Sequence, residues 1–106
     1  MIVYNKLVRD NIPDMIESEG KKFKTRILND TEYELELRKK LIEEAKELYE
    51  AESIEQKIYE LADIYEIIEY VLLVNNIDKR SVDMYRVKKN MKNGSFDEKI
   101  FLEHVN

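Results

Sequence analysis

The apolar positions of this chain recur mostly three and four residues apart, with a period-2 alternation in two short stretches. After an apolar start, Met1 to Tyr4, and the mixed-charge segment Asn5 to Asp10, Asp10 or Asn11 is placed to cap a first helix. Pro13 falls in its first turn, where a missing N–H does no harm. Ile12, Met15 and Ile16 form its apolar stripe, and Gly20 stops it. From Lys21 to Asn29, Phe23, Thr25 and Ile27 alternate with Lys22, Lys24 and Arg26, the signature of a short half-buried strand. Thr31 with Glu34 fits a capping box that opens a second helix to about Glu52, with Leu35, Leu41, Ile42, Ala45 and Leu48 inward. Ser53 with Gln56 opens a third, to about Val74, apolar on much of its circumference through Ile58, Leu61, Ala62, Tyr65, Ile68, Val71 and Leu72. Asn75 and Asn76 break it. Asp78 can cap a fourth helix to about Lys92, with Val82, Tyr85, Val87 and Met91 partly buried and Gly94 at its end. Ile100, Leu102 and Val105 then alternate with polar residues, as in a strand that pairs with the earlier one. The expected fold is all-α: an antiparallel bundle of about four helices with short strands near both ends.

Composition narrows the class. A chain of 106 residues is expected to form one domain, 1–106, around a modest core. Charged residues at 39% beside hydrophobic ones at 43%, with two glycines and one proline, favour long amphipathic helices over sheet. The absence of cysteine excludes disulfides, thiolate metal sites and cysteine nucleophiles. A formal charge of −5 argues against a general nucleic-acid binder. The start MIVYNKLVRDN lacks the apolar run of a secretory signal, and no segment approaches a membrane span, so a cytoplasmic protein is expected.

The candidate chemistry lies in two acidic pairs, Glu44 with Glu47 and Glu60 with Asp63. Each has i, i+3 spacing, so its carboxylates share a helix face. The pairs are symmetric about Ser53 and Ile54, where the chain is predicted to reverse, which sets Glu47 against Glu60 and Glu44 against Asp63. Crowded carboxylates repel and desolvate one another unless something offsets the cost, and a hard divalent cation is the simplest offset. Mg²⁺ or Mn²⁺ suits an all-carboxylate set, with Glu44, Glu47, Glu60 and Asp63 as ligands. Glu43, four residues before Glu47, is placed to reach the rim of such a site or act on a water. The plainer reading, a solvated helix face, fits Glu32, Glu50 and Glu52; it fits Asp63 least, which sits among Leu61, Ala62 and Ile64.

The pattern EExxE, a gap of 12 residues, then ExxD, standing here as Glu43-Glu44-Ala45-Lys46-Glu47 and Glu60-Leu61-Ala62-Asp63, resembles the MazG-type all-α nucleoside triphosphate pyrophosphohydrolases. The flanks YNKLVRDNIPDMIESEG and GSFDEKIFLE look like those of a small MazG-like subgroup labelled phosphoribosyl-ATP pyrophosphohydrolase-like, so the likeness spans nearly the whole chain. Ala62 stands where many relatives have Gly. The resemblance implies Mg²⁺-dependent hydrolysis of a nucleoside triphosphate between the α and β phosphates, releasing a monophosphate and pyrophosphate. It leaves Glu43, Glu44 and Glu47 as candidates for orienting or deprotonating the attacking water. It also implies a homodimer or homotetramer.

Lys6 and Arg9, in the subgroup-like KLVRD segment, are candidates for binding substrate phosphates, against a plain surface contact of Arg9 with Asp10 or Asp14. Lys89 and Lys92 on the fourth helix are weaker candidates, since neighbouring lysines usually form a solvated face. Tyr59, Tyr65 and Tyr85 read as core or subunit packing, Phe96 as an anchor for the loop after Gly94, and His104 receives no role. Two rivals stand beside the house-cleaning pyrophosphohydrolase: a true phosphoribosyl-ATP pyrophosphohydrolase, and a noncatalytic acidic helical interaction module.

Overall fold

The computed structural model describes residues 1–106 and is all-α, with four helices and no strand. The chain divides into two compact units. Met1–Asn75 carries α1 (Ile12–Ser18), α2 (Asp30–Glu50) and α3 (Ile54–Val74); Asn76–Asn106 carries α4 (Lys79–Asn93). No helix is long and apolar enough to cross a membrane.

Local chemistry sets the helix ends. Pro13 lies in the first turn of α1, as expected, and Gly20 leaves that helix at φ 76°, a conformation that costs glycine little. The α3 capping box forms as the sequence predicts: Ser53 Oγ accepts from Gln56 N at 3.1 Å, and Gln56 Oε1 accepts from Ser53 N at 3.3 Å. The α2 box sits two residues earlier than Thr31 with Glu34. Asn29 Oδ1 accepts from Glu32 N at 2.9 Å and Glu32 Oε1 accepts from Asn29 N at 3.4 Å. Both pairs have the right spacing, but Asn29 holds the extended conformation a cap needs, and Arg26 grips Glu32 with two hydrogen bonds of 3.2 and 2.8 Å. At its other end α2 stops at Glu50, short of Glu52. Asp78 caps α4, and Gly94 at φ 79° ends it.

Neither expected strand forms. Residues 21–29 run without regular structure up to the α2 cap, and Ile27 is 96% exposed. Residues 100–105 are likewise irregular and exposed. Alternation describes a surface that suits one face of a sheet, but a strand is held by the ladder of a partner, and neither segment has one.

In the first unit α2 and α3 pack antiparallel along one seam. Leu37, 4% exposed, and Ile67, 8% exposed, are its buried apolar residues, flanked by half-buried Leu41, Leu48, Ile64, Val71 and Val74. Positions 37, 41, 44 and 48 on α2 and 60, 64, 67, 71 and 74 on α3 keep the 3-4 spacing of such a seam, so Glu44 and Glu60 occupy core positions. The expected inward set was partly different. Leu35, Ile42 and Ala45 on α2 and Ile58, Leu61, Ala62, Tyr65 and Ile68 on α3 are exposed. The cause is a second stripe on α3, Ile54, Ile58, Leu61, Tyr65, Ile68 and Leu72, with the same 3-4 spacing, about a third of a turn around the helix from the seam. In the second unit Val82, Tyr85, Val87 and Met91 are exposed where partial burial was expected, and Phe96 anchors nothing. An amphipathic helix followed by an irregular tail offers itself no opposing face to bury against.

Candidate metal centre

The seam brings the acids of both helices together. Glu43, Glu44 and Glu47 form one group, and Glu44, Glu60 and Asp63 another, each with one carboxylate oxygen per residue within 4.8 Å of the others. Glu44 belongs to both, so the four residues predicted as metal ligands converge on it. Both acidic pairs keep their i, i+3 spacing along α2 and α3, and the short reversal at residues 51–53 sets them face to face.

Glu44 is 6% exposed, and its Oε2, like Glu60 Oε2, is buried without a hydrogen-bond donor. The groups that reach Glu44 are the carboxyls of Glu60 and Glu47. Two carboxyls can share a hydrogen bond only if one keeps its proton. Burial, then the contacts with Glu60 and Glu47, accordingly push Glu44 up to about 8. Glu47, more exposed, is also raised, chiefly through its hydrogen bond with Glu60. Beside them an open cleft of about 220 Å³, lined by Glu47, Glu50, Ala51, Gln56 and Glu60, leaves room for several waters or a phosphate.

The outer acids are satisfied differently. Lys6 Nζ donates to Glu43 Oε1 at 3.0 Å, and Lys40 Nζ stands 3.8 Å from the same oxygen. The Lys6 hydrogen bond, with help from Lys40, holds the Glu43 carboxyl below its ordinary range. Arg9 Nη2 donates to Asp63 Oδ1 at 2.7 Å, while Nη1 lies 4.0 Å from Glu66 Oε2. Arg9 thus reaches α3 rather than making the surface contact with Asp10 or Asp14 that its neighbourhood suggested. Lys40 and Glu66 escaped sequence reasoning. Their signal was there in i, i+3 spacing: Lys40 stands three residues before Glu43, and Glu66 extends the pair Glu60 and Asp63 by one more step. Lys89 and Lys92 lie exposed on α4, in the second unit.

A hard divalent cation fits these residues. The donors are all carboxylate oxygens, they lie within one coordination sphere's reach, and two of the oxygens are buried with no proton donor to stabilise their charge. Compared with protein families, with curated proteins and with solved structures, the chain matches none.

Proposed function

We propose that this protein is a Mg²⁺-dependent nucleotide pyrophosphohydrolase that cleaves a nucleoside triphosphate between the α and β phosphates. The observation that carries the reading is the pair of buried, unpartnered oxygens, Glu44 Oε2 and Glu60 Oε2, facing each other across the helical hairpin. Without a cation the fold meets the cost of the pair by keeping a proton on Glu44, and a divalent cation that takes that proton's place compensates both carboxylates. The likeness of EExxE and ExxD to the MazG-type enzymes supports the same chemistry.

In this reading Glu44, Glu60 and Asp63 hold Mg²⁺ or Mn²⁺, with Glu47 at the edge of the set. When bound, the metal supplies charge neutralisation for phosphoryl oxygens and makes a bound water more acidic. Glu47 is the acid best suited to orient the attacking water and take its proton. It borders the open cleft, whereas Glu43 is engaged by Lys6 and Lys40. Glu43, held by Lys6 and Lys40 in the metal-free protein, is the weaker base; one of its oxygens groups with those of Glu44 and Glu47, so a bound cation takes it up in place of Lys6. Lys6 and Arg9 stand within reach of a polyphosphate whose metal lies among these acids. For Lys89 and Lys92 the expectation of phosphate binding rests on sequence alone.

The finer architecture belongs to the same proposal: the hairpin completes a bundle with a second copy, as a homodimer or a tetramer of two such dimers. Leu35, Ile42 and Tyr49 on α2 lie on the same side of the hairpin as the second stripe of α3, and all are exposed save the half-buried Leu72. Together they make an exposed apolar face for a second copy to cover.

Pyrophosphate release is the test, across ordinary and modified nucleoside triphosphates and phosphoribosyl-ATP, with Mg²⁺ present. Glu47→Gln and Asp63→Asn are expected to lower release at least a hundredfold while leaving helicity intact. Release of pyrophosphate from phosphoribosyl-ATP alone would point to the narrower enzyme. No release from any of them would favour the acidic interaction module, to which the protein's own counter-ions on Glu43 and Asp63 lend support.

A further inference from the structure

The amino-terminal segment carries its two cations onto acids of the candidate metal centre from outside either helix. Asn5, in the left-handed region at φ 47°, bends the chain just ahead of Lys6. Leu7 alone among the first nine residues is half-buried, and it pins the segment between the two contacts. Lys6 and Arg9 therefore meet Glu43 and Asp63, 37 and 54 residues away in sequence, on opposite helices of the hairpin.

Resting on the metal reading above, we propose that Lys6 and Arg9 are exchangeable counter-ions. They neutralise Glu43 and Asp63 before a cation binds, give up those contacts when a divalent cation takes the carboxylates, and are thereby freed to grip the polyphosphate. Two features make the exchange physically easy. The side chains of Lys6 and Arg9 are 48% and 59% exposed, and ion pairs that open to water contribute little, so their loss costs little. A guanidinium already 2.7 Å from Asp63 also repels a divalent ion arriving at the same carboxylate, which drives the cation outward. The freed groups stay tethered by Leu7 at the rim, so their concentration near an incoming phosphate remains high. Direct ligation of the metal thus alternates with neutralisation by the protein's own cations, and the centre never carries its full negative charge unshielded.

Opposite effects on two probes distinguish this from fixed structural pairs. Mn²⁺ alone is titrated at neutral pH into wild type and into the double variant Lys6→Met, Arg9→Met. Inorganic tripolyphosphate binding is then measured with saturating Mg²⁺. An exposed pair changes an equilibrium by about 1.5- to 5-fold, so the double variant should bind Mn²⁺ roughly tenfold more tightly. It should bind tripolyphosphate at least tenfold more weakly. Arg26→Met, whose ion pair with Glu32 lies at the start of α2, should change neither. On wild type, the Arg9 side-chain resonance should shift with the same midpoint as Mg²⁺ binding, a readout that needs no variant to fold. Unchanged or weaker Mn²⁺ binding in the double variant, unchanged tripolyphosphate binding, or an Arg9 resonance indifferent to Mg²⁺ overturns the exchange and leaves the centre standing. Failure of wild type and variant alike to bind Mn²⁺ overturns both.

Discussion

Replacing Glu44 by Gln should make the metal-free protein more stable, although it deletes a residue from the centre of the fold. The unfolded chain gives up the Glu44 proton near its ordinary value of 4.5, whereas the folded chain keeps it to about 8. A group whose proton is held more tightly in the folded state supports folding at low pH. That support is complete below pH 4.5 and is lost progressively as pH rises to about 8. At 1.36 kcal/mol per unit, the gap from 4.5 to about 8 gives a fall on the order of 5 kcal/mol, which is most of the stability of a small domain. Gln fills nearly the same space and cannot ionise, so its profile lacks this fall. Urea unfolding followed by circular dichroism at intervals from about pH 5 to 9 measures the difference. Without metal, wild type should weaken steeply across that range and Glu44→Gln should weaken less, keeping only the fall that Glu47 contributes, the two curves separating most at the alkaline end. Magnesium should narrow the gap: at a concentration 100 times its dissociation constant it adds about 2.7 kcal/mol to wild type and little to the variant, offsetting about half of the fall. Parallel profiles for the two proteins would refute the reasoning, because they would mean that the Glu44 carboxylate is solvated and costs the fold nothing.

Three further outcomes follow from the packing. Leu37→Ala, at the most buried apolar position, should cost about 2 to 4 kcal/mol, seen as a lower urea midpoint with no change in slope. Ser53→Ala removes the acceptor for Gln56 N and should cost about 1 kcal/mol, a drop in melting temperature of about 4 to 8 °C for a unit of this size. Ile58→Glu together with Tyr65→Glu places charge on the exposed stripe of α3 and should leave a monomer in sedimentation, with helicity per residue retained.

What could be read from the sequence was what local spacing decides. The Ser53 box, the reversal after α2 and the opposition of the two acidic pairs each need only a few neighbouring residues, and all are present. The strand at Lys21–Asn29 needed a distant partner, and alternation says nothing about whether one exists. The inward face of α3 was misjudged because the helix carries two stripes of equal spacing. The wholly apolar one, through Ile58, Leu61, Tyr65 and Ile68, looked more like core than the one that includes Glu60. The contacts of Lys6 and Arg9 cross 37 and 54 residues, a distance over which charge alone names no partner.

The brevity of the α2–α3 connection has a consequence for how this chain tolerates change. Ala51, Glu52 and Ser53 span the gap between the helices. One residue added within α3 between Ser53 and Glu60 would swing every later side chain by about 100°, carrying Glu60 and Asp63 off the hairpin seam. Residues 21–28, exposed and irregular apart from half-buried Leu28, have no such phase to keep. Length variation, natural or engineered, should therefore accumulate ahead of α2 and be purged from the α2–α3 reversal and the first turns of α3.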